Sequence, residues 1–183
     1  MGLSAVTAAV VIWQAKVDSD HLAAAVWPYV QAWPSRSTAP PRFEISLVNA
    51  GVGPAIIRHF SVRVDGSPVR SWREFLAAVS KEETVRAAAF NEGVVQGSGW
   101  VMTPGSSVSA FRSHVPAAVN ALSARDWNRV DITFCYCSIF DRCWVSDWEV
   151  SAREEPTRVR SCPADGRFGV DWSELDADSA QPE

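Results

Sequence analysis

The pattern of apolar and polar positions divides the chain into a helical lead, a body of alternating segments and a polar end. From Leu3 to Trp13 eleven residues (Leu-Ser-Ala-Val-Thr-Ala-Ala-Val-Val-Ile-Trp) carry no charge, and polar punctuation begins only at Gln14 and Lys16. Leu22 and Val26 continue a helical face at i, i+4, and Pro28, which has no N–H and disfavours helical geometry in the residue before it, predicts a stop near Val26 or Trp27. A helix from Leu3 to Val26 is about 36 Å long at 1.5 Å per residue, which suits an anchor and stalk. The uncharged run alone is too short to span, since crossing the hydrocarbon takes about 20 apolar residues. It is also a poor signal peptide: no basic residue precedes it, and the small-x-small site Ala23-Ala-Ala25 lies beyond its end. Three readings follow: an anchor longer than this run, a helix lying in the interface with Trp13 at headgroup depth, or a helix packed on the domain.

After Pro28 the period changes to two. Tyr29 to Trp33 reads as a short strand, Pro34 to Pro41 as a loop, and Phe43 to Val48 as a strand with Phe43, Ile45 and Leu47 on one face. Asn49-Ala-Gly-Val-Gly-Pro-Ala55 is a structural turn built on Asn49, Gly51, Gly53 and Pro54, and its glycines predict positive φ. It feeds the strand Ile56 to Val64 and not a helix, so it lacks the context of a dinucleotide loop. Asp65-Gly66 closes a hairpin with Pro68 to Arg70, and Ser71 caps a helix over Trp72–Val79 with Glu74 completing a capping box. Helical character can extend over 82–89. Val94–Val101 and Ser106–Phe111 flank Pro104-Gly105 as a second hairpin, and Pro116–Leu122 is a short helix. Val130–Cys137 and Cys143–Val150 form the last hairpin, with Trp144 and Trp148 on one face as core fillers. Many short strands with turn punctuation give a mainly β fold, an antiparallel immunoglobulin-like sandwich with short helical insertions behind an N-terminal helix. The division is residues 1–27 anchor and stalk, 28–163 sandwich, and 164–183 acidic, disordered tail.

Charge sharpens this division. The net charge of −4 separates into −5 on Asp171–Glu183 and +1 on residues 1–170. No basic cluster resembles a nucleic-acid footprint; the densest, Arg153 to Arg160, is interrupted by Glu154 and Glu155. Fifteen Arg against two Lys says little about function, whereas nine Trp demand large planar fillers in the domain.

The candidate chemistry lies in the cysteines. Cys135, Cys137 and Cys143 fall within nine residues and Cys162 stands apart. The Cys-x-Cys spacing lacks the second ligand pair of a zinc site, and His21, His59 and His114 are scattered, so Cys135, Cys137 and Cys143 are weak metal candidates. Cys135 and Cys137 share a strand face and do not easily bond each other. A five-residue loop over Ser138–Arg142 puts Cys137 opposite Cys143 within disulfide reach, while a four-residue loop puts Ser138 there. All four remain disulfide candidates, with pairing dependent on register and compartment. A nucleophilic cysteine needs a base, and no His lies on the hairpin.

Val26-Trp-Pro-Tyr-Val30, Leu47 to Ala55 and Cys135 to Trp144 together resemble small bacterial proteins with an N-terminal membrane helix before a β-rich domain. The resemblance spans roughly residues 10 to 162; it carries no activity, and it implies a transmembrane anchor longer than the run seen here. With no cofactor motif and no assembled acid-base or nucleophile set, the expected function is a non-enzymatic binding or accessory module. It is membrane-associated through a single N-terminal anchor, with a protein or small ligand as partner and no nucleic acid. Lys16 offset by Asp18 and Asp20 leaves the side of the membrane open. The alternatives are a redox-active or metal-binding protein using Cys135, Cys137 and Cys143, and a structural subunit of an envelope assembly.

Overall fold

The computed structural model describes residues 2–79, 99–123, 129–147 and 155–163, excepting the side chains of 2–5, 121 and 123. Helix α1 (Gly2–Ala25) stops just ahead of Pro28, as the proline requires. Apolar residues wrap around it without forming a stripe, and Val6 to Lys16 are exposed. Among the described residues no helix is long and apolar enough to cross a membrane.

Strands β1 (Val30–Thr38), β2 (Pro41–Asn49) and β6 (Ser107–Ser113) make one antiparallel sheet in the order β1-β2-β6. The second sheet runs β4-β3-β7-β8-β9, from β3 (Ala55–Val64), β4 (Ser67–Val69), β7 (Val130–Cys137), β8 (Cys143–Asp147) and β9 (Thr157–Val159). The short β5 (Trp100–Met102) pairs with the start of β3. One buried cluster takes Val30, Phe43, Ile45, Leu47 and Phe111 from the first sheet and Ile57, Phe60, Val62, Ile132, Phe134 and Tyr136 from the second. Helix α2 (Trp72–Val79) adds Trp72, Phe75 and Leu76 to it, and helix α3 (Pro116–Ser123) adds Ala118, Val119 and Leu122.

Two local expectations are corrected, and one strand carries an irregularity. The segment from Pro34 is strand and not loop: β1 runs to Thr38 and turns through Ala39-Pro40 into β2. Pro34 is tolerated because β1 is an edge strand, where a missing N–H leaves no ladder bond unmade. The strands around Pro104-Gly105 are not a hairpin. β5 belongs to the second sheet and β6 to the first, so this turn carries the chain between sheets. In β3 the alternation breaks at Arg58-His59, where a bulge between Ile57 and His59 absorbs one residue and returns Phe60 to the core.

The α2 cap forms with one change of partner. Ser71 Oγ accepts from Glu74 N–H (3.2 Å), but the Glu74 carboxylate reaches back to Arg70 N–H (2.6 Å) and not to that of Ser71. The expectations for 82–89, 94–98, Trp148–Val150 and the tail 164–183 lie outside the described residues.

Candidate functional site

Two features meet at the end of the domain where α1 enters: a socket for the helix and a sulfur-lined sheet face. The socket is built on Asn49, which is fully buried. Its Oδ1 accepts from Tyr29 N–H (3.2 Å) and Gly51 N–H (3.1 Å), and its Nδ2 donates to the carbonyls of Gly53 (2.9 Å) and Met102 (3.1 Å). Both lone-pair directions and both N–H groups of the amide are used. Its backbone is held as firmly: Asn49 N–H donates to Ser106 C=O (3.0 Å) and its C=O accepts from Gly105 N–H (2.8 Å). One residue, by side chain and backbone together, thus joins the entry segment, the β2–β3 turn and both ends of the sheet-crossing turn.

The glycines serve a different purpose from the positive φ expected of them. Among the described residues the left-handed backbone occurs at Gly66, Gly99, Gly105, Asp65 and Asp141. Gly51 and Gly53 are instead required by close approach. A Cβ on Gly51 would stand 2.3 Å from Tyr29 N, and one on Gly53 would stand 1.8 Å from the Val26 carbonyl oxygen. That proximity lets Val52 and Gly53 N–H both donate to Trp27 C=O (3.0 and 3.2 Å) and Ala50 N–H to Tyr29 C=O (2.7 Å). Pro54 then leads into β3.

Side chains brace the same joint. Trp27 packs on Tyr29 (ring centroids 5.4 Å) and edge-on to Trp144 (6.4 Å). Arg142, in the β7–β8 loop, pairs with Asp20 on α1. The loop is organised by Ser138, for which the sequence suggests no bonding role: its Oγ accepts from Phe140 and Arg142 N–H, and its N–H donates to Arg142 C=O (2.8 Å). Ile139 and Phe140 are left exposed at the tip, and Val52 is exposed at the socket turn.

The sulfur face follows from strand alternation. Phe134, Tyr136 and Trp144 point into the core, so Cys135, Cys137 and Cys143 point outward, where Val145, Val159 and Cys162 pack on them as a second, smaller cluster. The loop is the five-residue one, and Cys137 stands opposite Cys143. The bonds are Cys137–Cys143 and Cys135–Cys162. Cys135, Cys137 and Cys143 are buried and Cys162 is half-buried. Sγ of Cys137 lies 3.7 Å from Sγ of Cys162, so the two disulfides touch. The sulfurs of Cys137, Cys143 and Cys162 lie within 4.8 Å of one another. Reduced, they are a set of soft ligands; bonded as disulfides, they have no thiolate for a metal or for nucleophilic attack. His59, scattered in the sequence, is placed opposite Cys135 by the β3–β7 pairing.

A charged group outside these features is Glu44, buried on β2 with Arg112 opposite it on β6. Burial raises its carboxyl, but hydrogen bonds from Arg112, Ser109 and Arg42 and the Arg112 charge outweigh that and bring it down to about 2. It is a carboxylate clamped by two guanidinium groups, unsuited to exchanging protons near neutrality. Burial pushes the Tyr136 phenol up, which makes it a core filler without acid-base use. Compared with protein-family models, with curated proteins and with solved structures, the chain matches none.

Proposed function

We propose that the protein is a membrane-tethered, non-enzymatic binding or accessory module. Its domain is an immunoglobulin-like sandwich standing in an oxidising compartment, where two disulfides persist. The observation that carries the reading is the socket. A domain merely linked to a tail needs no fully bonded, buried Asn49 at the junction, nor two glycines worn down to backbone contact with Val26 and Tyr29. Such a joint fixes the direction of α1, and a fixed direction matters when the far part of the helix is held by something else. That part exposes Val6, Val10, Val11, Ile12 and Trp13, side chains that gain from an apolar environment. The partner is a protein or small ligand that meets the domain at a set height and orientation.

Fractionation of the full-length chain tests the tether. Recovery with membranes through a high-salt wash, and release on replacing Val10, Val11 and Ile12 by Ser, is the expected result. Recovery wholly in the soluble fraction would remove the tether. Stoichiometric metal in the purified protein would favour the competing reading built on Cys135, Cys137 and Cys143.

A further inference from the structure

We propose that Cys162 is a shuttling sulfur, able to exchange its bond to Cys135 for one to Cys137, so that the outer face of the β7–β8 hairpin is a thiol–disulfide exchange site for a dithiol donor. The inference is independent of the membrane tether.

Three observations carry it. First, Cys135 and Cys137 present their sulfurs on one face, two residues apart on β7, and Cys162 lies against both, bonded to one and 3.7 Å from the other. That separation is van der Waals contact, from which an attacking thiolate needs only a short approach. Second, the four cysteines differ in how they are held. Cys135, Cys137 and Cys143 are fixed in the register of β7 and β8, whereas Cys162 follows the three-residue edge strand β9. Third, access is unequal: Cys162 is half-buried while the other three are buried, so an incoming thiolate meets Cys162 first.

The sequence of steps is closed. A thiolate of the donor attacks Sγ of Cys162; the Cys135–Cys162 bond breaks with its electron pair on Cys135, which takes a proton. The donor's second thiolate displaces Cys162 as a thiolate, and the donor leaves as a disulfide, oxidised by two electrons. Cys162 then attacks Sγ of Cys137, and the Cys137–Cys143 bond breaks with its electron pair on Cys143, which takes the second proton. Two electrons and two protons now reside on Cys135 and Cys143, with a Cys137–Cys162 bond between them. The same steps in reverse pass the two electrons and two protons outward through Cys162 to an external disulfide, which leaves as a dithiol.

The experiment uses the full chain in native buffer with about one equivalent of dithiothreitol, an acid quench, alkylation and peptide mapping without further reduction. Cleavage after Arg129, Arg142 and Arg160 places Cys143 and Cys162 on separate peptides, and fragmentation at Tyr136, within the peptide that carries both Cys135 and Cys137, tells which of these two holds the label and which the bond. At least about a tenth of the two-electron-reduced molecules should carry a Cys137–Cys162 bond with label on Cys135 and Cys143, because exchange between touching sulfurs equilibrates the isomers. Cys135→Ser, which leaves Cys162 without its bonded partner, should show the same Cys137–Cys162 bond beside Cys137–Cys143. Finding only the two original bonds in the wild-type chain would overturn the proposal, whether or not the variant folds. A bond distribution equal to that of guanidine-unfolded protein would overturn it as well.

Discussion

The two ends of the domain are held by different physics. At the end away from α1, side chains do the work: Trp72 lies 4.8 Å from Phe111, 5.5 Å from Phe75 and 6.1 Å from Phe60 by ring centroids, and Phe75 and Phe111 are fully buried. Such packing is non-directional and belongs to the whole core, so damage to it spreads. At the α1 end the backbone is held, by Asn49, by glycine contacts and by two disulfides on an outer face that shares little with the core. Directional and covalent bonds fix orientation, and their loss is felt locally. The contrast separates bulk packing from a joint: the first end keeps the sheets together, and the second fixes how α1 meets the domain and carries the two disulfides.

Four perturbations bear on that contrast, in descending size. Phe75→Ala should cost about 3 to 5 kcal/mol, as a large aromatic lost from a closed core does; urea melts should show the whole domain destabilised. Gly53→Ala, with its methyl placed against the Val26 carbonyl, should cost about 3 kcal/mol by overpacking, with early proteolysis between residues 20 and 30 as the local sign. Asn49→Ala leaves two N–H groups and two carbonyls without their partner and should cost about 2 to 3 kcal/mol. Here too cleavage at the α1 junction should outpace the change in global unfolding. If Asn49→Ala and Phe75→Ala gave indistinguishable proteolysis patterns, the two ends would not be separate. The smallest effect concerns pH. Glu44 titrates at about 2 in the folded chain against 4.5 otherwise, so its stabilisation is complete above about pH 4.5 and is lost as pH falls toward 2. The loss should be about 2 kcal/mol, less than the full shift implies because Arg42 and Arg112 are partly solvated. Glu44→Gln should flatten this acid limb in denaturation midpoints measured from pH 7 to 2.5.

How far these regions were legible in the sequence follows the same division. Alternation in Phe43–Val48 and Val130–Cys137, the Ser71 cap and the stop at Pro28 are local signals, and they gave β2, β7, α2 and the end of α1. The partner of a strand is not local. Nothing in Pro104-Gly105 distinguishes a hairpin from a crossing between sheets, because the answer lies in what Asn49 and Ala55 offer from elsewhere in the chain. The turn at Asn49 is legible as structural, but its glycines suggest backbone freedom where their small size against Val26 and Tyr29 is what matters. The alternation in β7 put Cys135 and Cys137 on one face, and the loop length bore on Cys143. The position of Cys162 and the placing of His59 beside Cys135 needed the three-dimensional pairing.

Two disulfides close the outer hairpin face, and the mass of the intact chain tests them most directly. Protein exported to an oxidising compartment, unfolded in guanidine and alkylated without reductant, should gain no label, and after reduction it should gain four, one on each cysteine. Label taken up without reductant, or a metal ion retained in the native mass spectrum on these cysteines, would contradict this closure.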